Sequence, residues 1–333
     1  MVDPSKLSIS TSPYLHDKAS TPRIMWEVVY TLLPVFVVAF YYFGLSALLV
    51  SMSAIGGCLL TEWAISRPKT QGSTLGDGSA LITGLLLALT LPPGFPLWMA
   101  FLGGVIAIGM GKAIWGGLGQ NTFNPALVGR AFLQAAFPTA ITTWELPNGH
   151  YWMPRGTNLA LPFFQGHPID AISAATPLSR MKFDHAPTDL FDLLLGNTSG
   201  SLGETCGLLL ALAGLYLAWR RLINWRIPVS ILLTVALFSA VFYAMDPLRY
   251  PSPPFMLLAG GLLLGAVYMA TDLVTSPLTP KGAWIFGIGI GFLVVLIRIW
   301  GGLPEGVMYA ILLMNAVAPL INRFTKTRVY GHS

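Results

Sequence analysis

The sequence predicts an all-α integral membrane protein of about ten transmembrane helices, arranged as two inverted five-helix repeats with broken helices. Three observations carry this. Hydrophobic residues make up 54% of the chain and charged residues 10%, against about 25% charged in soluble domains. Apolar segments follow one another along most of the length, and most of them match a hydrocarbon core of about 30 Å. A short string recurs in the second half at a fixed offset.

The opening 25 residues are polar and hold no secretory-signal core, so the first apolar segment reads as a retained anchor. Apolar segments lie near residues 24–43, 45–65, 79–91, 97–114, 124–140, 204–219, 227–245, 255–275, 283–300 and 305–321. The third is too short to cross: roughly 12 apolar residues rise only about 18 Å. It ends in Thr90-Leu91-Pro92-Pro93-Gly94, which stops a helix. The expected organisation is a cytoplasmic segment (1–25), a first membrane repeat (26–140), a long outer loop (141–203), a second repeat (204–321) and a cytoplasmic tail (322–333).

Charge orients the segments. With both termini inside, the inner stretches hold Lys6, Lys18, Arg23, Arg67, Lys69, Lys112, Arg220, Arg221, Arg226, Lys281, Arg323, Lys326 and Arg328. The outer ones hold only Arg155, Arg180, Lys182 and Arg249. That asymmetry follows the positive-inside rule and puts residues 141–203 on the periplasmic or external face. The net charge of +5 is spread over membrane edges, so it does not point to nucleic acid.

Ile114-Trp115-Gly116-Gly117-Leu118 returns as Ile299-Trp300-Gly301-Gly302-Leu303, an offset of 185 residues. At that same offset Thr90-Leu91-Pro92 meets Thr275-Ser276-Pro277. The first Trp-Gly-Gly-Leu falls inside and the second outside, so the halves are inverted. In such folds short or broken helices meet near the midplane and line a pathway. The candidates are 79–91 and 271–280.

Ionisable groups inside a membrane are costly and usually face a protein interior or a wet cavity. Asp77, Asn124, Arg130, Asp272 and Arg298 lie within or at the ends of spans. Asp272, in Ala270-Thr271-Asp272, is either an ion contact or the cap of a broken helix. Asp77 and Asn124 join it as weaker members of an ion pathway. Arg130 reads as a snorkelling or phosphate-facing group, and Glu62 as a residue reaching water at the inner edge. Cys58 and Cys206 are too few for an iron–sulfur cluster, which needs about four ligands, and read as small core residues. No phosphate loop, nucleophile elbow, metal-ligating pattern or dinucleotide fingerprint is present.

The outer loop carries the most specific signal, Asp170-Ala171-Ile172-Ser173-Ala174-Ala175-Thr176-Pro177-Leu178. A phosphodiester to a protein hydroxyl needs an accessible nucleophile among small residues. Ser173, Ala174 and Ala175 leave room before Thr176. Asp170 is placed to help a transferase position the hydroxyl. Arg180 and Lys182 follow closely enough to offset phosphate charge. Ser, Thr and Pro at this spacing also open ordinary helices. Trp144 and Trp152 lie in the same loop, as packing groups or as stacking partners for a flat ring. His167 and His185 flank the motif.

Together these features resemble the D component of the Rnf electron transport complex, a family related to the B component of the sodium-pumping NADH:quinone reductase. The similarity covers nearly the whole chain, through Thr90-Leu91-Pro92-Pro93-Gly94, Asn124-Pro125-Ala126, Ala270-Thr271-Asp272 and the Thr176 motif. The family motif reads Ser-Gly-Ala-Thr after an Asp, and Ala174 stands here in place of the Gly. The resemblance implies a urea-transporter-like fold in a bacterial inner membrane. It implies FMN joined through its phosphate to Thr176, on the periplasmic side, by a separate flavin transferase that uses FAD, with Asp170 and Ser173 in the recognised segment. A second, non-covalent riboflavin is an option within the family. The implied partners are the A, B, C, E and G components of the Rnf complex, one of them with a periplasmic flavin domain. The implied activity is one component's share of an ion-translocating ferredoxin:NAD oxidoreductase, incomplete alone and moving Na+ or H+. The alternatives are a relative of the quinone reductase's B component and a urea-transporter-like solute channel.

Overall fold

A computed structural model of the chain describes residues 20–66, 74–147, 151–162, 175–186, 188–204, 206–247 and 249–326. Those residues form helices and connecting turns, with no strand among them. Helices α1 (Thr21–Phe43), α2 (Leu45–Ser66), α10 (Arg226–Met245), α13 (Pro280–Trp300) and α14 (Val307–Phe324) are long and apolar enough to cross a membrane. The chain is a multi-pass membrane protein. Helices α3 (Ser79–Leu89), α4 (Leu97–Ile108), α5 (Pro125–Ala136) and α9 (Gly207–Trp219) are shorter. Short helices α6 (Pro138–Thr142), α7 (Pro177–Phe183) and α8 (Leu190–Leu195) lie between α5 and α9. Helices α11 (Pro253–Leu258) and α12 (Leu262–Leu264) are fragments of one apolar segment.

The short third segment is as expected: α3 ends at Leu89, and its Pro-Pro-Gly sequence turns the chain toward α4. Two apolar segments are more broken than expected. The segment at 124–140 divides at Phe137, because Pro138 cannot donate to the helix before it. The segment at 255–275 breaks at Ala259–Gly260–Gly261 and again beyond the π turn Gly265–Met269, where residues 270–279 are non-helical. The first break depends on Gly260, which has φ 68°, in the left-handed region where a side chain is strained.

Polar contacts sort the helix ends into two sets. At one end Arg220 pairs with Glu27 at 3.0 Å, the Trp26 indole donates to the Gly76 carbonyl, and Leu278 N donates to Asn322 Oδ1. At the other, Tyr42 Oη donates to the Leu195 carbonyl, Arg155 N donates to Ser46 Oγ, and Leu97 N donates to the Asn158 carbonyl. Helix α1 joins the sets, with Glu27 near its start and Tyr42 near its finish. Helix α2 packs most extensively on α4, and α10 on α13. The first pair is close because both helices present glycine: a Cβ on Gly104 would collide with the Ala54 carbonyl oxygen, and one on Gly57 with that of Phe101.

The interior holds charge, which corrects two expectations. Glu62 does not reach water. It is 6% exposed and accepts from Lys112 Nζ at 2.9 Å. Lys112 is no loop cation either: it sits on the π turn Gly109–Ala113, is 3% exposed, and also donates to Ser79 Oγ at 2.8 Å. Ser79 Oγ in turn donates to Asp77 Oδ1 at 2.6 Å. The ammonium thus joins α2 to the start of α3 across the low-dielectric interior, where an unpaired charge is expensive.

Replacing Lys112 by Met strands the Glu62 carboxylate, and the unfolding free energy falls by about 3–5 kcal/mol. Adding Glu62→Gln recovers part of that loss, as a double-variant cycle in detergent reads. Gly104→Val forces α2 and α4 apart and costs about 1–3 kcal/mol in the same unfolding measurement.

Candidate functional site

Thr176 is the N-cap of α7. Its Oγ1 accepts from Ser179 N at 3.2 Å and lies 2.9 Å from Ser179 Oγ, with Pro177 in the first helical position. The stretch is legible both as a modification motif and as a helix start, and the helix start is the one seen. The side chain is 7% exposed. Asp170, Ser173 and Ala174, with His167, lie outside the described residues. Ala175 is exposed, and its carbonyl accepts from Ser199 Oγ at 2.8 Å, tying the Thr176 segment to the stretch of chain before α9.

Two clefts flank this point. One, of about 380 Å³, reaches Ala175 and Ser179 and is walled by Trp144, Phe183 and Tyr309, with Arg130 and Glu305 beneath. The other, of about 320 Å³, reaches Ala175 and Arg180 and includes Asp192 and Ser199. Arg180 is exposed. Lys182 faces elsewhere: its ammonium donates to the carbonyls of Ile297, Gly301 and Leu303 at the end of α13. Cations at a helix C-terminus are favoured by its dipole. Partial burial lowers the Lys182 pKa, and all three of its N–H groups are met. Trp152 is 79% exposed and stands apart from both clefts, and His185 lines neither of them.

Below α7 lies a second group of charges, with the arginines buried and the carboxylates partly exposed. Arg130 Nη2 meets Glu305 Oε2 at 2.9 Å, so Arg130 is an interior partner and not a snorkelling side chain. Glu305 Oε1 accepts from Gly261 N at 2.7 Å. Arg298 donates to the carbonyls of Met256 at 2.6 Å and Ala259 at 2.8 Å, the last turn before the break. Glu204 completes the set. A Cβ on Gly261 would stand 2.6 Å from Glu305 Oε1 and 3.9 Å from Glu204 Oε1, so that glycine lets the Glu305 carboxylate close in with Glu204 beside it. On Gly260 a Cβ would stand 2.6 Å from Leu178 Cδ1 of α7 and 3.2 Å from Arg298 Nη2. The Nε atoms of Arg130 and Arg298 are buried and lack a partner among the described residues. Both arginines stand out in the sequence, but Glu204 and Glu305 do not, because they look like the polar edges of spans. Two unexplained arginines in apolar segments are the signal that acids had to be near.

The expected pathway residues cluster at the opposite end. Asn124 caps α5, with Oδ1 accepting from Ala126 N at 3.0 Å and Leu127 N at 3.3 Å. Its Nδ2 donates to the Met269 carbonyl at 3.2 Å, joining α5 to the π turn. Asp272 takes the capping role: Oδ1 accepts from Val274 N at 3.4 Å and Oδ2 from Thr275 Oγ1 at 3.3 Å. Asp77 accepts from Ser79 N at 2.8 Å at the start of α3. Asn124, Asp272, Lys112 and Ser79 border one small cavity of about 90 Å³, which Asp77 does not line. Among the described residues no cluster of three or more His, Cys, Asp or Glu could hold a metal ion. Cys58 and Cys206 are free and buried.

A family model described as the NQR2, RnfD, RnfE family matches residues 8–331. The D component of the proton-translocating ferredoxin:NAD(+) oxidoreductase complex of Clostridium ljungdahlii is 41% identical over 97% of this chain and 96% of its own. The D component of the ion-translocating oxidoreductase complex of Stutzerimonas stutzeri is 42% identical over 95% and 94%. The D component of the Na(+)-translocating ferredoxin:NAD(+) oxidoreductase complex of Acetobacterium woodii is 41% identical over 98% and 95%. With identity at this level along essentially its whole length, the chain belongs to the NQR2, RnfD, RnfE family.

Proposed function

We propose that this chain is the membrane flavoprotein component of an ion-translocating ferredoxin:NAD oxidoreductase, with FMN esterified to Thr176. The relatives' names support the complex and its activity. One observation supports the attachment point: Thr176 stands between residues that line a cleft of about 380 Å³ with three aromatic walls and a buried arginine whose Nε is unpartnered among the described residues. Ligand clefts commonly fall in the range of about 300–1,000 Å³ and combine apolar walls with a few polar groups. The residues present therefore fit a flat, hydrogen-bonding ring on a short tether.

The bound group would supply one-electron redox chemistry, and the protein's part is to seat it and set its electrostatics. Esterification removes the Thr176 hydroxyl proton, so the Ser179 hydroxyl becomes the donor of that pair while Ser179 N keeps its acceptor. Trp144, Phe183 and Tyr309 give the cleft apolar walls, and Arg130 presents positive charge to its lining. Asp170, Ser173 and Ala174 belong to the segment a flavin transferase would recognise. Arg180 is the nearer basic group to the ester, since Lys182 is occupied at α13.

The finer architecture is part of the same reading. Ten crossings form two inverted halves, bounded at 26–140 and 204–321, with 1–25 and 322–333 in the cytoplasm of a bacterial cell. The loop 141–203 then faces the periplasm, and the partners are the A, B, C, E and G components of the complex, one of them with a periplasmic flavin domain. In support, Trp115-Gly116-Gly117 follows the α4 segment at one end of the bundle, and Trp300-Gly301-Gly302 follows α13 at the other. The packing of α2 on α4 is repeated, 185 residues on, by α10 on α13. The cavity beside Asn124 and Asp272 lies where an ion pathway, or a non-covalent riboflavin, would meet the inner end.

Thr176→Ala removes protein-bound flavin fluorescence at this chain's position in a denaturing gel; fluorescence persisting there places the ester elsewhere. Asp272→Asn keeps the Oδ1 cap but loses the charge. It lowers ion transport several-fold more than electron transfer in proteoliposomes, and equal loss of both counts against the pathway.

A further inference from the structure

Four charged side chains meet beneath α7, and they are not equivalent. Glu305 is fully engaged: it takes the Arg130 guanidinium at 2.9 Å and the Gly261 N–H at 2.7 Å. Arg298 is fixed on two carbonyls. Glu204 is different. Among the described residues it forms no ion pair of 4.0 Å or less with either arginine, and its Oε1 and that of Glu305 both lie beside Gly261. The hydroxyl beside it, Ser201 Oγ, is buried and otherwise unpartnered among the described residues. Glu305 is a like-charged neighbour of Glu204, and two neighbouring carboxylates in a low dielectric disfavour being ionised together.

The groups that face Glu204 are Glu305 from the α13–α14 turn, Arg130 from α5, Arg298 from α13 and Ser201 from its own turn. The turn Leu202–Glu204 also packs on α1 and α3. Helix α3 has no charged residue, and the charges of α1, Arg23 and Glu27, lie at its far end. The local balance therefore turns on one proton: two arginines and Glu305 leave a net positive charge that an ionised Glu204 cancels. Arg130 and Glu305 also floor the cleft beside Thr176, so charge arriving there is felt by the same four groups.

The second cleft reaches Ser199, two residues before Ser201 in the chain. Serine hydroxyls both accept and donate, and Ser199 already bonds the carbonyl next to Thr176.

We propose that Glu204 is a proton-binding site whose occupancy follows the charge held in the cleft beside Thr176. The inference rests on the flavin reading above. When a one-electron carrier in a partner protein of the complex delivers an electron to the cleft, the Glu204 carboxylate takes a proton from the outer aqueous side and becomes a carboxylic acid. When the electron moves on, that O–H bond breaks and the proton returns. No other bond changes.

The test is a redox titration of the covalent flavin across pH, in the purified complex, for the unaltered protein, E204Q and E204D. The unaltered potential falls as pH rises. E204D keeps a pH dependence with a shifted midpoint, whereas E204Q, still carrying fluorescent flavin, loses the portion that E204D retains. An E204Q complex that follows the unaltered slope overturns the proton site alone. Absence of flavin from Thr176 in the unaltered protein overturns the attachment and the proton site together. Should E204Q fail to assemble, reduced-minus-oxidised infrared spectra of the unaltered complex decide the matter. A carboxylic-acid carbonyl band that appears on reduction and moves in D2O is expected, and its absence overturns the site.

Discussion

Charge has to be neutralised wherever water is excluded, and that constraint organises this molecule. An isolated ammonium or carboxylate in the interior costs several kcal/mol even after relaxation. Lys112 with Glu62, and Arg130 with Glu305, meet it by pairing at 2.9 Å each. The first pair closes the start of α3 against α2 and the π turn of α4. The second closes α5 against the turn between α13 and α14. Both sit where helices stop short, so the ends of the broken helices are fixed by ion pairs as well as by packing.

Broken helices leave backbone groups that lipid cannot satisfy, and polar side chains answer them one by one. Arg298 takes the last carbonyls of α11, Glu305 the N–H of Gly261, Asn124 the first amides of α5, and Asp272 the turn after the π segment. Lys182 does the same at the end of α13 from outside the membrane segments. The loop that carries Thr176 is thereby docked at three points: through Lys182 to α13, through Leu178 to Gly260, and through Ala175 to Ser199.

Local sequence reveals what local chemistry decides. The Pro-Pro-Gly after Leu91 announces a short α3, Asn124-Pro125 a capped start to α5, and Thr176-Pro177 a helix start inside the flavin-type motif. Pairing across the fold is not legible. Glu62 and Lys112 are 50 residues apart, and Arg130 and Glu305 are 175 apart. Nothing in the apolar periodicity of either partner names the other. Taken alone, Glu62 therefore reads as a residue at the water's edge and Arg130 as a snorkelling one. The Gly260–Gly261 break is hidden for another reason: glycine is common in membrane helices, and only Leu178, Arg298 and Glu305 crowding it show why no side chain fits.

The stretch from Gly261 to Met269 connects the two polar ends. Its first amide is held by Glu305, and its last carbonyl by Asn124, eight residues on. Between them lie only α12, three residues long, and a π turn, whose hydrogen bonding departs from the regular helix. The segment is tightly packed, since a Cβ on Gly265 would collide with Val307 of α14. The segment thus ties the group of Glu204, Glu305 and Arg298 at one end to Asn124 and the cavity that Asp272 borders at the other. Coupling between the two ends requires that an ion at the inner cavity favour one position of this segment over the other. The two anchoring hydrogen bonds, one to a carboxylate that already shares a glycine with Glu204, are where that difference in free energy would be set.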